Sequence, residues 1–398
     1  MKRNLWLLAI AQGLFLTNNV TFIAINGLVG LSLAPLGWMA TLPVMGYVVG
    51  GALSTGLVAK SQSLYGRKRS FLLGLLVGLL SAAVCAYAAY SRQFWLLVAA
   101  TVVAGYYNAN AQLYRFAAAE LATTDYKEKA VSLVLAGGLI GAVAGPNLAL
   151  WTKSMFATPI STPFIGAYLV LVFVALLSML VISNINFPAH VPKDVSKSAN
   201  QGRPLSEIMR QPVFIVSTMA AALGYGVMNL LMAATPIAMQ QCGLQFSDVA
   251  FVLEWHVIGM FAPGFFTGHL IKRFGVLQIM GTGVLLNLVC IVIALSGQDL
   301  HQFLAALFLL GLGWNFLFTG STTLALGTYT PEEKDRAQGA INFFTFSVLA
   351  LSSFASGALV TTQGWTLLNI GSLFPIFITG AALLWLAFKR RASHNALS

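Results

Sequence analysis

Charged side chains are scarce in this chain. Asp, Glu, Lys and Arg make up 8% of its 398 residues, against roughly a quarter in a soluble domain. So few charges cannot cover a water-facing globule of this length, which excludes a soluble fold. Cysteine is scarce too. Cys85, Cys242 and Cys290 stand too far apart for a disulfide framework or a metal-ligand spacing, so no metal and no cofactor are expected. Neither His-Glu-x-x-His nor Gly-x-Ser-x-Gly occurs, and an enzyme is not expected. The absence of a Gly-x-x-x-x-Gly-Lys-Ser/Thr phosphate loop argues against an ATP-driven pump. Short alternating strands are missing as well, which excludes a membrane barrel.

What fills the chain is apolar. The hydrophobic fraction is 58% and the mean hydropathy +0.81. A helix needs about 20 apolar residues to cross a bilayer, and roughly twelve such runs occur, near 5–31, 37–59, 70–90, 94–119, 131–151, 163–186, 212–239, 248–270, 276–296, 301–328, 338–361 and 366–388. The expected fold is therefore an all-α polytopic membrane protein. The run after Met1 continues past Leu28 without a small-residue cleavage site, so it reads as a first spanning helix and not as a signal peptide.

A net charge of +11 would suit nucleic acid, but the placement of the charges argues otherwise. Apart from Arg92, Lys153 and the intrahelical Arg115, every Lys and Arg falls on one side of the predicted membrane. That is the positive-inside bias, which places both termini in the cytoplasm and makes the lipid bilayer, not nucleic acid, the partner.

Residues 187–211 form the longest polar run, with three prolines and a Ser/Asn/Gln/Gly cluster, and read as a solvated linker. They separate two apolar halves, 1–186 and 212–398. Gly66 before a basic cluster matches Gly275, Gly105 matches Gly313, and Lys127-Glu-Lys-Ala130 matches Lys334-Asp-Arg-Ala337, all at nearly one spacing. A duplicated unit of about six helices follows.

Polar side chains inside apolar spans are costly and mark functional candidates. The first span carries Gln12, Thr17, Asn18, Asn19 and Asn26. In the fourth, Tyr107 stands beside a stripe of Asn108, Gln112 and Arg115, spaced to share one helix face. Arg115 is either an anchor that snorkels to the interface or a ligand or gate residue. The fifth span carries Gly137, Gly141 and Gly145 one turn apart, a groove for close helix packing, and Pro146 should bend it. Tyr225 and Asn229 stand in the seventh span, and Trp314 and Asn315 in the tenth. Glu254 and His256 in the eighth are the one acid–histidine pair well inside a span. Two apart on a helix, they point about 200° away from one another, so either one or the other titrates.

Taken together, these residues resemble the major facilitator superfamily over the whole chain. Gly66, Arg67 and Lys68 fit the end of its signature between helices two and three, and Gly268, Leu270, Arg273 and Gly275 fit the copy in the second half. Ser63 and Lys272 stand where that signature has an acid. Gly141-Ala-Val-Ala-Gly145-Pro146 is similar to the fifth-helix signature of the family's antiporters, with Ala149 and Leu150 in place of its last glycines. The resemblance implies two pseudo-symmetric six-helix bundles, alternating access and a cavity lined by helices one, four, seven and ten. Asn18, Asn19, Tyr107, Asn108, Arg115, Tyr225, Asn229, Trp314 and Asn315 would line it, with Glu254 or His256 linked to protons. Gly66, Arg67, Gly141, Gly145, Pro146, Gly268, Arg273 and Gly275 would serve packing and conformational change. The expected activity is secondary active transport of a small polar or amphipathic organic solute by a monomer in a bacterial inner membrane. Proton-coupled export comes first, and uptake of an anionic metabolite or carboxylate siderophore is the alternative.

Overall fold

A computed structural model describes residues 2–123, 127–156, 163–187, 202–330 and 333–395. Most of the expected linker, 188–201, lies outside the described residues. Within hydrocarbon every backbone N–H and C=O must find its partner inside the segment, so long apolar runs fold as helices. Span 1 is α1 (Lys2–Leu33), and α2 (Leu42–Tyr90) contains spans 2 and 3. Span 4 is α3 (Phe94–Ala111) with α4 (Tyr114–Leu121), and span 5 is α5 (Lys127–Ala136) with α6 (Gly138–Thr152). Span 6 is α7 (Ile165–Ser183); the short α8 (Leu205–Met209) leads into span 7, α9 (Pro212–Gln241). Span 8 is α10 (Phe246–Phe261) with α11 (Gly264–Phe274), bent by 42°. Spans 9 to 12 are α12 (Val276–Ser296), α13 (Leu300–Leu326), α14 (Lys334–Thr362) and α15 (Gly364–Asn395).

Among the described residues, ten helices are each long and apolar enough to cross a bilayer, and the bent pair α10–α11 is an eleventh. The broken pair α3–α4 completes the expected twelve. Span 8 bends where Pro263 supplies no N–H to the helix ladder. The amide of Asn315 on span 10 braces that bend by donating to Met260 O at 2.7 Å, while Thr267 Oγ1 donates to Asn315 Oδ1 at 2.7 Å. α6 continues through Pro146, where a bend was expected, and the break in span 5 falls at Gly137.

Gly66 and Gly275 have φ of 76° and 94°, a region that L side chains avoid. The two matched glycines thus turn the chain in the same way between spans 2 and 3 and between spans 8 and 9. The Gly105–Gly313 match is less faithful. Gly105 lies against Gly50 and Gly51 of span 2, whereas in the second half it is Gly311 that lies against span 8, at His256 and Gly259.

Helices before and after 188–201 pack chiefly within their own group, and the groups meet along spans 1 and 7, 2 and 11, and 5 and 8. Among the described residues, polar and ring contacts between the groups gather at the end opposite the termini, here termed distal. Thr41 Oγ1 donates to Ser353 O at 2.7 Å and accepts from Gly357 N–H at 3.0 Å. Trp38 meets Phe354, Phe164 meets Phe246, and Lys153 lies over both of those last rings. At the end carrying the termini, the two salt bridges each stay within one group: Arg67–Glu120 at 2.6 Å and Arg203–Glu333 at 2.8 Å. Among the described residues, the distal end is tied across the groups, whereas these two salt bridges at the other end do not cross.

Candidate functional site

The expected polar stripe of span 4 is split. Gln112 and Leu113 form a turn between α3 and α4, so Asn108 and Arg115 no longer share a continuous helix face. Asn108 is buried toward Gly51 of span 2, and its Oδ1 has no partner. Tyr107, expected at the cavity, is buried within the first group instead, edge-on to Phe15 and against Gly78. Arg115 turns the other way. Its guanidinium lies over Phe116 at 4.9 Å and within electrostatic reach of Tyr225 on span 7, although α4 packs chiefly on α5 and α1. Its Nε is buried and has no acceptor.

On the second group, Tyr225 belongs to an aromatic wall. Trp314 and Phe318, one helical turn apart on span 10, stack at 5.1 Å with planes 11° apart. Tyr225 meets both edge-on at 5.2 and 5.5 Å, and Phe261, beside the bend of span 8, meets Trp314 at 6.1 Å. Such ring pairs contribute about 0.5–1.5 kcal/mol each beyond their buried area. Trp314 Nε1 is buried without an acceptor, as is the hydroxyl of Ser321, two turns along the same face of span 10. On the first group, Asn19 Nδ2 donates to Tyr47 Oη at 3.2 Å, and Tyr47 also lies within electrostatic reach of Tyr225. Asn18 is buried on the same span.

Two expected lining amides are consumed by packing. Asn229 Nδ2 lies 2.9 Å from Ser352 Oγ and 2.8 Å from Ser353 Oγ on span 11, and Asn315 braces the bend of span 8. Glu254 and His256 also part company. Glu254, half-buried, accepts from Asn147 Nδ2 of span 5 at 2.9 Å, across the junction of the groups. His256 is fully buried in the second group, with Nδ1 2.6 Å from Leu307 O. Arg67 forks onto both carboxylate oxygens of Glu120, at 3.1 and 2.6 Å, and also meets Gln62. Gly268 and Arg273 are exposed on α11. Phe318, Phe261, Tyr47 and Asn147 escaped the sequence reading. Trp314 and Phe318 at one-turn spacing were a legible signal, while nothing marked Phe261 among its aromatic neighbours. Two apolar surface grooves, one with Tyr87, Phe156 and Leu169 and the other with Leu53, Val103 and Tyr106, contain none of the candidate residues.

The Major Facilitator Superfamily model matches residues 5–262 and 218–397. The chain belongs to this superfamily. Its members are transporters of small molecules and not enzymes. Over 375 residues, 94% of this chain and 93% of the relative, it is 39% identical to the riboflavin transporter RfnT of Brucella anthropi. It is 28% identical to the MFS-type transporter YddS of Bacillus subtilis, covering 90% and 84% of the two chains. Among solved structures, it matches a bacterial homologue of the human lysosomal transporter Spinster with TM-score 0.73 at 14% identity, over 96% of each chain. The human organic anion transporter MFSD10 matches with TM-score 0.67 at 15% identity, over 96% of this chain and 99% of that one. These two show the fold alone.

Proposed function

We propose that this superfamily member is a secondary active transporter of riboflavin or of a solute with the same flat fused-ring chemistry, bound between Arg115 and the Trp314–Phe318–Tyr225 wall. The stacked Trp314–Phe318 pair carries the reading, because a parallel aromatic platform suits a planar ring system, and the RfnT relative supports it. The two groups of helices act as the rocking bodies of alternating access around that site. We take the protein to work as a monomer in a bacterial inner membrane, and the placement of the basic residues supports cytoplasmic termini.

Uptake is the direction we propose. Export rested on the glycine groove of span 5, but Gly137, Gly141 and Gly145 all lie against span 1, at Ala9, Leu16, Thr17 and Val20, which is ordinary close packing. Export in exchange for protons is the second reading; Glu254, an acid at the junction of the groups, favours it. Riboflavin accumulation in right-side-out and inverted vesicles, with and without a pH gradient, tests both. Accumulation in right-side-out vesicles supports uptake, and gradient-driven accumulation in inverted ones supports export. Saturable movement of no flavin in either orientation would remove the substrate.

A further inference from the structure

Resting on the reading of this site as one for flat heteroaromatic solutes, the inference here concerns which ring it accepts. We propose that Arg115 is the specificity-determining residue, selecting flat rings that carry an anionic or strongly accepting edge and turning that edge toward the first group of helices.

The polar atoms left over at the site carry the case. A guanidinium within a membrane span is costly unless an anion or acceptors compensate it. Among the described residues, the acids that form salt bridges are Glu120 and Glu333, held by Arg67 and Arg203, and Glu254 is taken by Asn147. Arg115 has a ring beneath it, a phenol within electrostatic reach, and no acceptor for its buried Nε. Trp314, which meets Tyr225 edge-on, likewise has a buried N–H without an acceptor. Both nitrogens can only donate, since neither side chain has an acceptor atom. A solute lying on the Trp314–Phe318 platform therefore meets donors at its rim. A carboxylate, or adjacent ring carbonyl and nitrogen acceptors, would satisfy them, and the planar fork of Arg can hold two acceptor atoms at once. A flat cation would meet the guanidinium as a like charge.

The platform and the guanidinium also belong to different groups of helices. A ring on one and an acceptor edge on the other would link the two bodies through the solute itself. A solute lacking either part would bind one body only.

The test measures binding to purified full-length protein with two probes of one ring size and opposite charge, 2-naphthoate and 2-naphthylmethylammonium, alongside riboflavin. Wild type should prefer the carboxylate by at least about tenfold, as loss of a charge-assisted hydrogen bond would imply. Arg115→Gln should erase that preference, Arg115→Lys should keep it at lower affinity, and Trp314→Leu should weaken every ring probe alike. Thermal unfolding of each variant checks folding, and should Arg115→Gln not fold, the Lys variant still reads the loss of the fork. Equal binding of both naphthalenes, binding of neither, or an unchanged preference in Arg115→Gln would overturn the role of Arg115. Absence of riboflavin binding with the charge preference intact would instead remove riboflavin as substrate and leave that role standing.

Discussion

The amide of Asn147 on span 5 and the carboxylate of Glu254 on span 8 meet at 2.9 Å across the junction of the two helix groups. This hydrogen bond is made between bodies that must separate if one rocks against the other. His256, two residues beyond Glu254, faces the opposite way into its own group, where its Nδ1 donates to Leu307 O at 2.6 Å. Of the two groups weighed for proton linkage, only Glu254 lies where the bodies meet.

Glu254→Gln keeps a side chain able to accept from Asn147 while removing the carboxylate. Its expected phenotype is normal insertion and counterflow with loss of any response to a pH gradient. Counterflow and gradient-driven uptake measured on the same proteoliposomes check this. An unchanged gradient response would move the proton link away from Glu254.

The fold was legible because hydrocarbon leaves long apolar runs no other regular structure, and because Gly66 and Gly275 stand at matched points where φ must be positive. Of the proposed site, Arg115, Tyr225 and Trp314 stood out in the sequence because a cation, a phenol or an indole in the middle of an apolar span draws notice. Tyr107, Asn229 and Asn315 looked alike in sequence, yet each serves packing inside one group. Residue type shows that an amide in a span needs a partner, but not whether a neighbouring helix already supplies it. The turn at Gln112–Leu113, which swings Arg115 away from Asn108, has no proline or glycine to announce it.

Span 5 lies so close to span 1 that its glycines should rank by distance. A Cβ on Gly137 would collide with Ala9 O, one on Gly141 would lie 2.5 Å from Thr17 N, and one on Gly145 would lie 3.1 Å from Thr17 O. Gly137→Ala and Gly141→Ala should each cost about 1–3 kcal/mol by overpacking, and Gly145→Ala less. Thermal unfolding in detergent reads the order. Gly145→Leu should disrupt packing and transport together, and full turnover in that variant would contradict the close approach.

Thr41 clasps the distal end by donating to Ser353 O and accepting from Gly357 N–H. Thr41→Val fills nearly the same volume and removes both hydrogen bonds, while Ser356 Oγ still donates to Ser353 O at 2.7 Å, so the cost to the closed arrangement is about 0.5–1.5 kcal/mol. The population open at that end should rise. An Asn19→Cys reporter in the Thr41→Val background should then react several-fold faster with an impermeant thiol reagent added at the distal side. Equal rates with and without Thr41→Val would show that the clasp does not hold that end shut.

The last prediction concerns acid stability, and it rests outside the membrane spans. Glu333 at the start of span 11 is buried, and its carboxylate accepts from Arg203 Nε at 3.0 Å and Nη2 at 2.8 Å, with backbone N–H groups of Thr330 and Arg203 adding 3.0 and 2.8 Å contacts. The Arg203 side chain first, then those backbone donors, hold the carboxyl at about 2, against 4.5 for the free side chain. The folded state therefore binds this proton less tightly than the unfolded one. The stabilisation is complete above the unfolded value of 4.5 and is lost as pH falls through about 2. Wild-type unfolding temperature should accordingly drop across that window, whereas Glu333→Gln should start lower at neutral pH and lose less on acidification. Because Arg203 lies within the expected linker, the same variant should also expose the chain near Gly202 to faster proteolysis. Parallel acid limbs for the two proteins would show that the Arg203–Glu333 contact contributes nothing to the pH dependence.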